Sequence, residues 1–367
     1  MRKRLFSLLL ILCLMATLPM GCRKAEIGPL EATAAPTLAP QATQAPAQPS
    51  TQAPQATQPP TQGPTAAPME AETAARGYRF ADHEEAADLL LAERRYYEGL
   101  SQNDLNYRLQ KMDATLKELE SYVRTQTRDY SEGEKAAIDK AMQYILASCE
   151  ERGYRLPSLE DVVFAKTTMH EESDAGAYTH GTKIFLGEVL MPYAMSDDLN
   201  LQAYFRYILA HELFHCFTRN DPDFRGDMYA ILGFTVVEED FVFSREIREA
   251  IISNPDVGHH NSYAAFEIGG QLINCAVVFT AAPFQQPGDS FFSTMQTGLV
   301  PIDQLDVMYS SEDAVNFWDV FGRNTDYVID PEETMADNFG FLLAYGTDMD
   351  YQTPELIKAM DAYLKAR

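Results

Sequence analysis

The chain has 367 residues, 54 of them acidic against 29 basic, and a formal charge of −25 at pH 7. A surface this acidic repels phosphate backbones and anionic headgroups, which argues against nucleic acid and acidic lipid as partners. Beyond the N-terminal region only Cys149, Cys216 and Cys275 remain, widely spaced and odd in number. Neither a disulfide framework nor a thiolate zinc site is expected from them.

Arg2, Lys3 and Arg4 followed by an apolar run over residues 5–18 read as a secretory signal covering residues 1–21. The run is short for a membrane span and stops at Pro19. Gly21-Cys22 resembles the end of a bacterial lipobox, although Pro19 stands where such boxes usually carry leucine. The resemblance implies that Cys22 is lipidated and that the protein sits on the extracellular face of a bacterial cell membrane, with plain secretion as the alternative. Residues 22–77 form a linker whose central part is almost wholly Ala, Thr, Gln and Pro. With nothing to bury and many fixed φ angles it is an extended tether, at about 3.1 Å per residue able to reach on the order of 100 Å.

Folding begins near Tyr78, and residues 78–155 read as a helical N-terminal subdomain. Residues 82 to about 128 are expected to be helical with a break at Ser101. There Leu105, Leu109, Met112, Leu116, Leu119 and Val123 alternate spacings of four and three, either a partner-binding face or, more commonly, a stripe packed on its own domain. Ser131 and Glu134 make a capping box for a helix that stops near Gly153. Residues 162–164 and 178–186 then look like strands, with His180 expected as an exposed polar strand residue rather than a ligand. An edge strand here could pair with an extended peptide. Residues 228–243 and 272–280 also read as strands, separated by a loop that carries Asn254-Pro255-Asp256 and His259-His260. Adjacent strand histidines point to opposite faces, so at most one of that pair could reach a site. Ser310 opens a further helix ending at Gly322. The expected fold class is α+β, with a second domain over 156–367 and an inserted segment over about 219–325.

The chemistry centres on His211-Glu212-Leu213-Phe214-His215, in a helical run beginning near Ser196. An H-E-x-x-H on a helix sets two imidazoles one turn apart on one face, able to share a Zn²⁺, with the glutamate close enough to act as general base on a water the metal acidifies. Two satisfied core histidines are the bland alternative, but histidine is scarce here, seven in all. A third protein ligand is needed. Asp221 is one candidate, placed where some zinc motifs carry a third histidine. The other is Glu333 in Asp330-Pro331-Glu332-Glu333, a strong helix start in which Glu333 could equally be a capping-box residue. Glu333 and Asp337 share a face with Ala336 and Gly340. Burying two carboxylates there requires a cation: Glu333 could bind the metal while Asp337 accepts the outer N–H of a histidine.

HELFH with a downstream E-x-x-x-D resembles the gluzincin branch of zinc metallopeptidases, the thermolysin-like group. The stretch from Tyr327 to Phe339 is more similar still to the third-ligand helix of the anthrax-lethal-factor-like clan and of related secreted lipoproteins from Gram-positive bacteria. The resemblance implies one catalytic Zn²⁺ on His211, His215 and Glu333, Glu212 as general base, Asp337 behind a ligating histidine, and Tyr327 stabilising the oxyanion. It implies a membrane-tethered peptidase acting on a peptide or protein substrate. Two rivals share these residues: a catalytically idle surface lipoprotein that binds a partner, and a zinc amidase or deacetylase acting on cell-wall material.

Overall fold

The computed structural model describes residues 77–159 and 161–367; the expected signal, Cys22 and nearly all of the expected linker lie outside the described residues. The described chain is mixed α+β. It opens with β1 (Tyr78–Phe80), then α1 (His83–Ala92), α2 (Arg94–Gly99), α3 (Gln102–Leu109), α4 (Leu116–Gln126), β2 (Thr127–Arg128) and α5 (Glu132–Arg152). Next come β3 (Val162–Thr167), β4 (Ala177–His180), β5 (Lys183–Gly187), α6 (Met191–Ala194), α7 (Leu199–Asn220), α8 (Pro222–Ile231), β6 (Thr235–Val236) and α9 (Arg245–Ala250). The chain ends with β7 (Ser262–Ile268), β8 (Gln271–Thr280), β9 (Gln296–Pro301), β10 (Tyr309–Ser310), α10 (Phe317–Phe321), α11 (Pro331–Tyr345) and α12 (Pro354–Ala366).

Two sheets result. The first runs β1-β3-β5-β4, with β2 also paired to β3. β1, β3 and β5 are mutually parallel, and β4 lies antiparallel to β5 at one edge. β3 is buried at every position, as expected of a strand covered on both faces. Its period of two divides the core: Val162 and Phe164 face the layer of α5, α7 and α11, while Val163 and Ala165 face Leu90, Leu119 and Val123 of the N-terminal helices. The second sheet is an antiparallel meander, β10-β9-β8-β7-β6, built by residues after α8.

Local signals account for most helix ends. Ser131 and Glu134 form the expected capping box, and α5 stops at Gly153 in the left-handed conformation at φ 74°. Ser101 with Asp104, and Thr115 with Glu118, cap α3 and α4 in the same way. The regular apolar stripe is therefore split between two helices. Gln110 and Asp113 adopt positive φ at the bend between them, and Met112 is exposed there. Leu105, Leu119 and Val123 are spent on their own core and offer no continuous face to a partner.

Several expectations need correction. Residues 228–243 are not a strand: Asp221 caps α8, Pro222 occupies its first turn, and Phe224 and Met228 bury one helical turn apart, leaving only β6 extended. Residues 178–186 are two strands with a turn at Gly181-Thr182 rather than one. His180 is buried, because the face of β4 it occupies packs against Tyr96 and Phe185. The helix expected from Ser310 is a single 3₁₀ turn with its own capping box, followed by α10 ending at Gly322.

Candidate metal centre

α7 carries His211, Glu212 and His215, all buried, and packs along α11, which carries Glu332, Glu333 and Asp337. Close approach is possible because Gly340 meets Tyr207: a β-carbon there would lie 2.8 Å from the Tyr207 ring and 2.9 Å from its carbonyl oxygen. The helix start at Asp330 is as expected, its carboxylate accepting the Glu332 amide at 2.8 Å. Glu333 does not bond back to Asp330 as a capping-box residue would. It turns inward toward α7.

Each histidine is fixed from behind by a carboxylate. His211 Nδ1 donates to Asp337 Oδ1 at 2.9 Å, and His215 Nδ1 donates to Glu332 Oε1 at 2.9 Å. Asp337 is itself held by Tyr207 and Thr325. Glu332 accepts from Thr218 and from Tyr229, both at 2.6 Å. The two Nε2 atoms then face the same oxygen, Glu333 Oε2, 3.1 Å from His211 and 3.9 Å from His215. His211, His215 and Glu333 thus form a buried group that can hold a metal ion.

The buried carboxylates and imidazoles shift one another's proton affinities. Burial alone would lower His211, but its bonds to Asp337 and Glu333 raise it well above its ordinary value. Burial raises Glu212 and pushes Asp256 well above the usual carboxylate range, His211 and His215 opposing the first and His215 the second. Burial also works to raise Glu332, yet the bond from His215 and its charge outweigh it and hold Glu332 low. His215 Nε2 is fully buried with no hydrogen-bond partner, a loss of roughly 1–3 kcal/mol that a metal at this position would remove. Two imidazoles and a carboxylate are a donor set that suits zinc.

Glu212 Oε2 accepts the Thr179 hydroxyl of β4 at 2.7 Å, and its carboxylate lies close to His215 and Asp256. Tyr327 is half-buried; burial first, then the charges of Glu333, Asp256, Asp337 and Glu212, push its hydroxyl well above the usual range. Asp221 is elsewhere: it caps α8 through the Phe224 amide and pairs with Arg367. His259 pairs with Asp240, and the His260 ring packs on Phe243, neither joining the group. Glu332, in sequence a rival to Glu333, stands instead behind His215, and Thr179, Tyr207, Asn254 and Asp256 join the site unforeseen. Tyr207 could have been found, since it stands one turn before His211 on the same helix face. Thr179 and the Asn254-Pro255-Asp256 loop carry no local mark of their destination. No family model, no curated protein and no solved structure matches the chain.

Proposed function

We propose that this protein is a zinc-dependent hydrolase acting on peptide bonds, tethered to the extracellular face of a bacterial membrane through Cys22. The observation that carries the reading is the convergence of His211 Nε2, His215 Nε2 and Glu333 Oε2 beside a buried Glu212. Zinc held there would polarise a carbonyl and acidify a water. The chain's own residues supply the rest. Asp337 and Glu332 keep Nδ1 of each histidine protonated, which leaves Nε2 as the donor atom. Thr179 occupies Oε2 of Glu212, so Oε1 is the atom that takes the proton from water. Glu212 then holds that proton and hands it to the leaving amine. Tyr327, kept protonated by burial and its acidic neighbours, donates to the developing oxyanion.

Cleavage of a mixed peptide library by the zinc-loaded protein tests this directly. Glu212→Gln is expected to lower turnover by about 10²–10⁴ while one zinc per chain is retained. Intact peptides with the wild-type chain, zinc bound, would refute the peptidase reading. The tether is tested separately: Cys22→Ala is expected to abolish labelling by a fatty acid and release the protein to the medium.

A further inference from the structure

Between α9 and β7 the 253–258 loop comes to the metal site instead of to solvent. Asn254 Nδ2 donates to Glu333 Oε1 at 2.5 Å, on the carboxylate whose other oxygen faces the two histidines. Asp256 is buried, and its Oδ1 accepts the Thr179 amide at 2.7 Å while lying 3.8 Å from His215 Nε2. Glu212, His215 and Asp256 make a second cluster of donor atoms sharing His215 with the first. Arg219 Nη2 grips the loop's main chain, donating to the carbonyls of Pro255 and Asp256 at 3.1 and 2.8 Å.

Thr179 shows whose place the loop has taken. β4 is an edge strand, and Thr179 lies opposite Ile184 of β5. Its amide is bonded to Asp256 and not across the ladder, so it points away from the sheet. An extended peptide adding to a sheet edge needs such outward amides. Asp256 therefore holds a main-chain donor that an incoming peptide would use, and its carboxylate stands beside Glu212 and His215 where a reacting carbonyl has to arrive.

The other end of the loop is anchored in the N-terminal helices. Ser253 donates through N and Oγ to Asp104 at 2.9 and 3.1 Å, and its carbonyl accepts Arg108 Nη2 at 2.7 Å. Asp104 and Arg108 are almost fully buried, and Arg108 also pairs with Glu172 at 2.6 Å. A fixed buried ion pair on one side and the metal site on the other hold the loop in place.

Resting on the peptidase reading above, we infer that the 253–258 loop is a resident occupant of the substrate cleft, with Asp256 in the ligand's place on the edge strand, and that an extended peptide binds only by displacing it. The full-length zinc-loaded protein is titrated calorimetrically with a peptide hydroxamate, a probe that needs both the metal and the cleft. Asp256→Ala is expected to bind it about 10-fold more tightly with zinc still present, because the binding-competent fraction rises. Asp256→Asn keeps an acceptor for the Thr179 amide and is expected to gain less. In the wild-type chain, which raises no question of folding, binding of the hydroxamate is expected to speed hydrogen exchange at the amides of 253–258. Unchanged or weaker affinity in zinc-loaded Asp256→Ala, or a loop equally protected in the wild-type complex, would overturn the inference. If the affinities and exchange behave as expected but no variant cleaves peptides, the peptidase reading alone fails; if the wild-type chain takes up no zinc, both fail.

Discussion

Glu332 and Glu333 are neighbours in sequence with opposite tasks. The rotation of about 100° between adjacent helical positions sends Glu333 to the Nε2 side of both histidines and Glu332 to the back of His215, where it also satisfies Thr218 and Tyr229. Replacing Glu332 by alanine leaves the Tyr229 hydroxyl and the His215 ring N–H without their acceptor, while Thr218 keeps only the His215 carbonyl. The variant is expected to lose roughly 2–5 kcal/mol of stability and about 10–100-fold in zinc affinity, by urea denaturation of the metal-free protein and by competition with a chromogenic chelator. Glu332→Gln, which keeps an acceptor oxygen for His215, is expected to lose less of both. Equal zinc affinity in Glu332→Ala and the wild type would show that His215 needs no support from behind.

At the scale of elements, the site depends on how closely α7 and α11 pack, since each brings donor atoms the other lacks. Gly340 sets that distance against Tyr207, whose ring stacks on Phe341 with centroids 5.0 Å apart. A methyl group at position 340 meets the Tyr207 carbonyl, which is main chain and cannot step aside. Gly340→Ala is expected to cost about 1–3 kcal/mol through overpacking. It should also weaken zinc binding, because Glu333 moves away from the histidines. Calorimetric melting with and without zinc checks both: the variant's melting temperature falls, and zinc raises it less than in the wild type.

Across the whole molecule, buried titratable groups set the pH range of stability. His180 is packed among Tyr96, Tyr178 and Phe185, and burial, followed by the charge of Arg219, depresses it to about 3. Unfolded, it takes up a proton near its ordinary value of 6.5. The unfolded state therefore binds more protons between these values, and stability is lost as pH falls below 6.5 toward 3. Between pH 7 and pH 5 the urea midpoint of the wild type is expected to fall relative to that of His180→Phe, whose ring cannot be protonated; His211 and His215, raised in the fold, work the other way in both proteins. An equal change in the two would mean that His180 is not the group responsible.

Local pattern carried a good part of this protein. One capping box and Gly153 placed the two ends of α5, helical spacing put His211 and His215 on one face with Glu212 beside them, and the Asp330-Pro331 start located α11, because each signal acts within a few residues of chain. Three matters were decided only by tertiary packing. Glu332 and Glu333 differ in duty because α11 meets α7 at one rotation about its axis; His180 is buried because helices distant in sequence cover its strand; and Asn254 and Asp256 reach the His211, His215 and Glu333 group through a loop anchored on Asp104 and Arg108. Periodicity and capping are short-range properties of a chain, whereas the meeting of residues more than a hundred positions apart depends on the joint packing of whole elements.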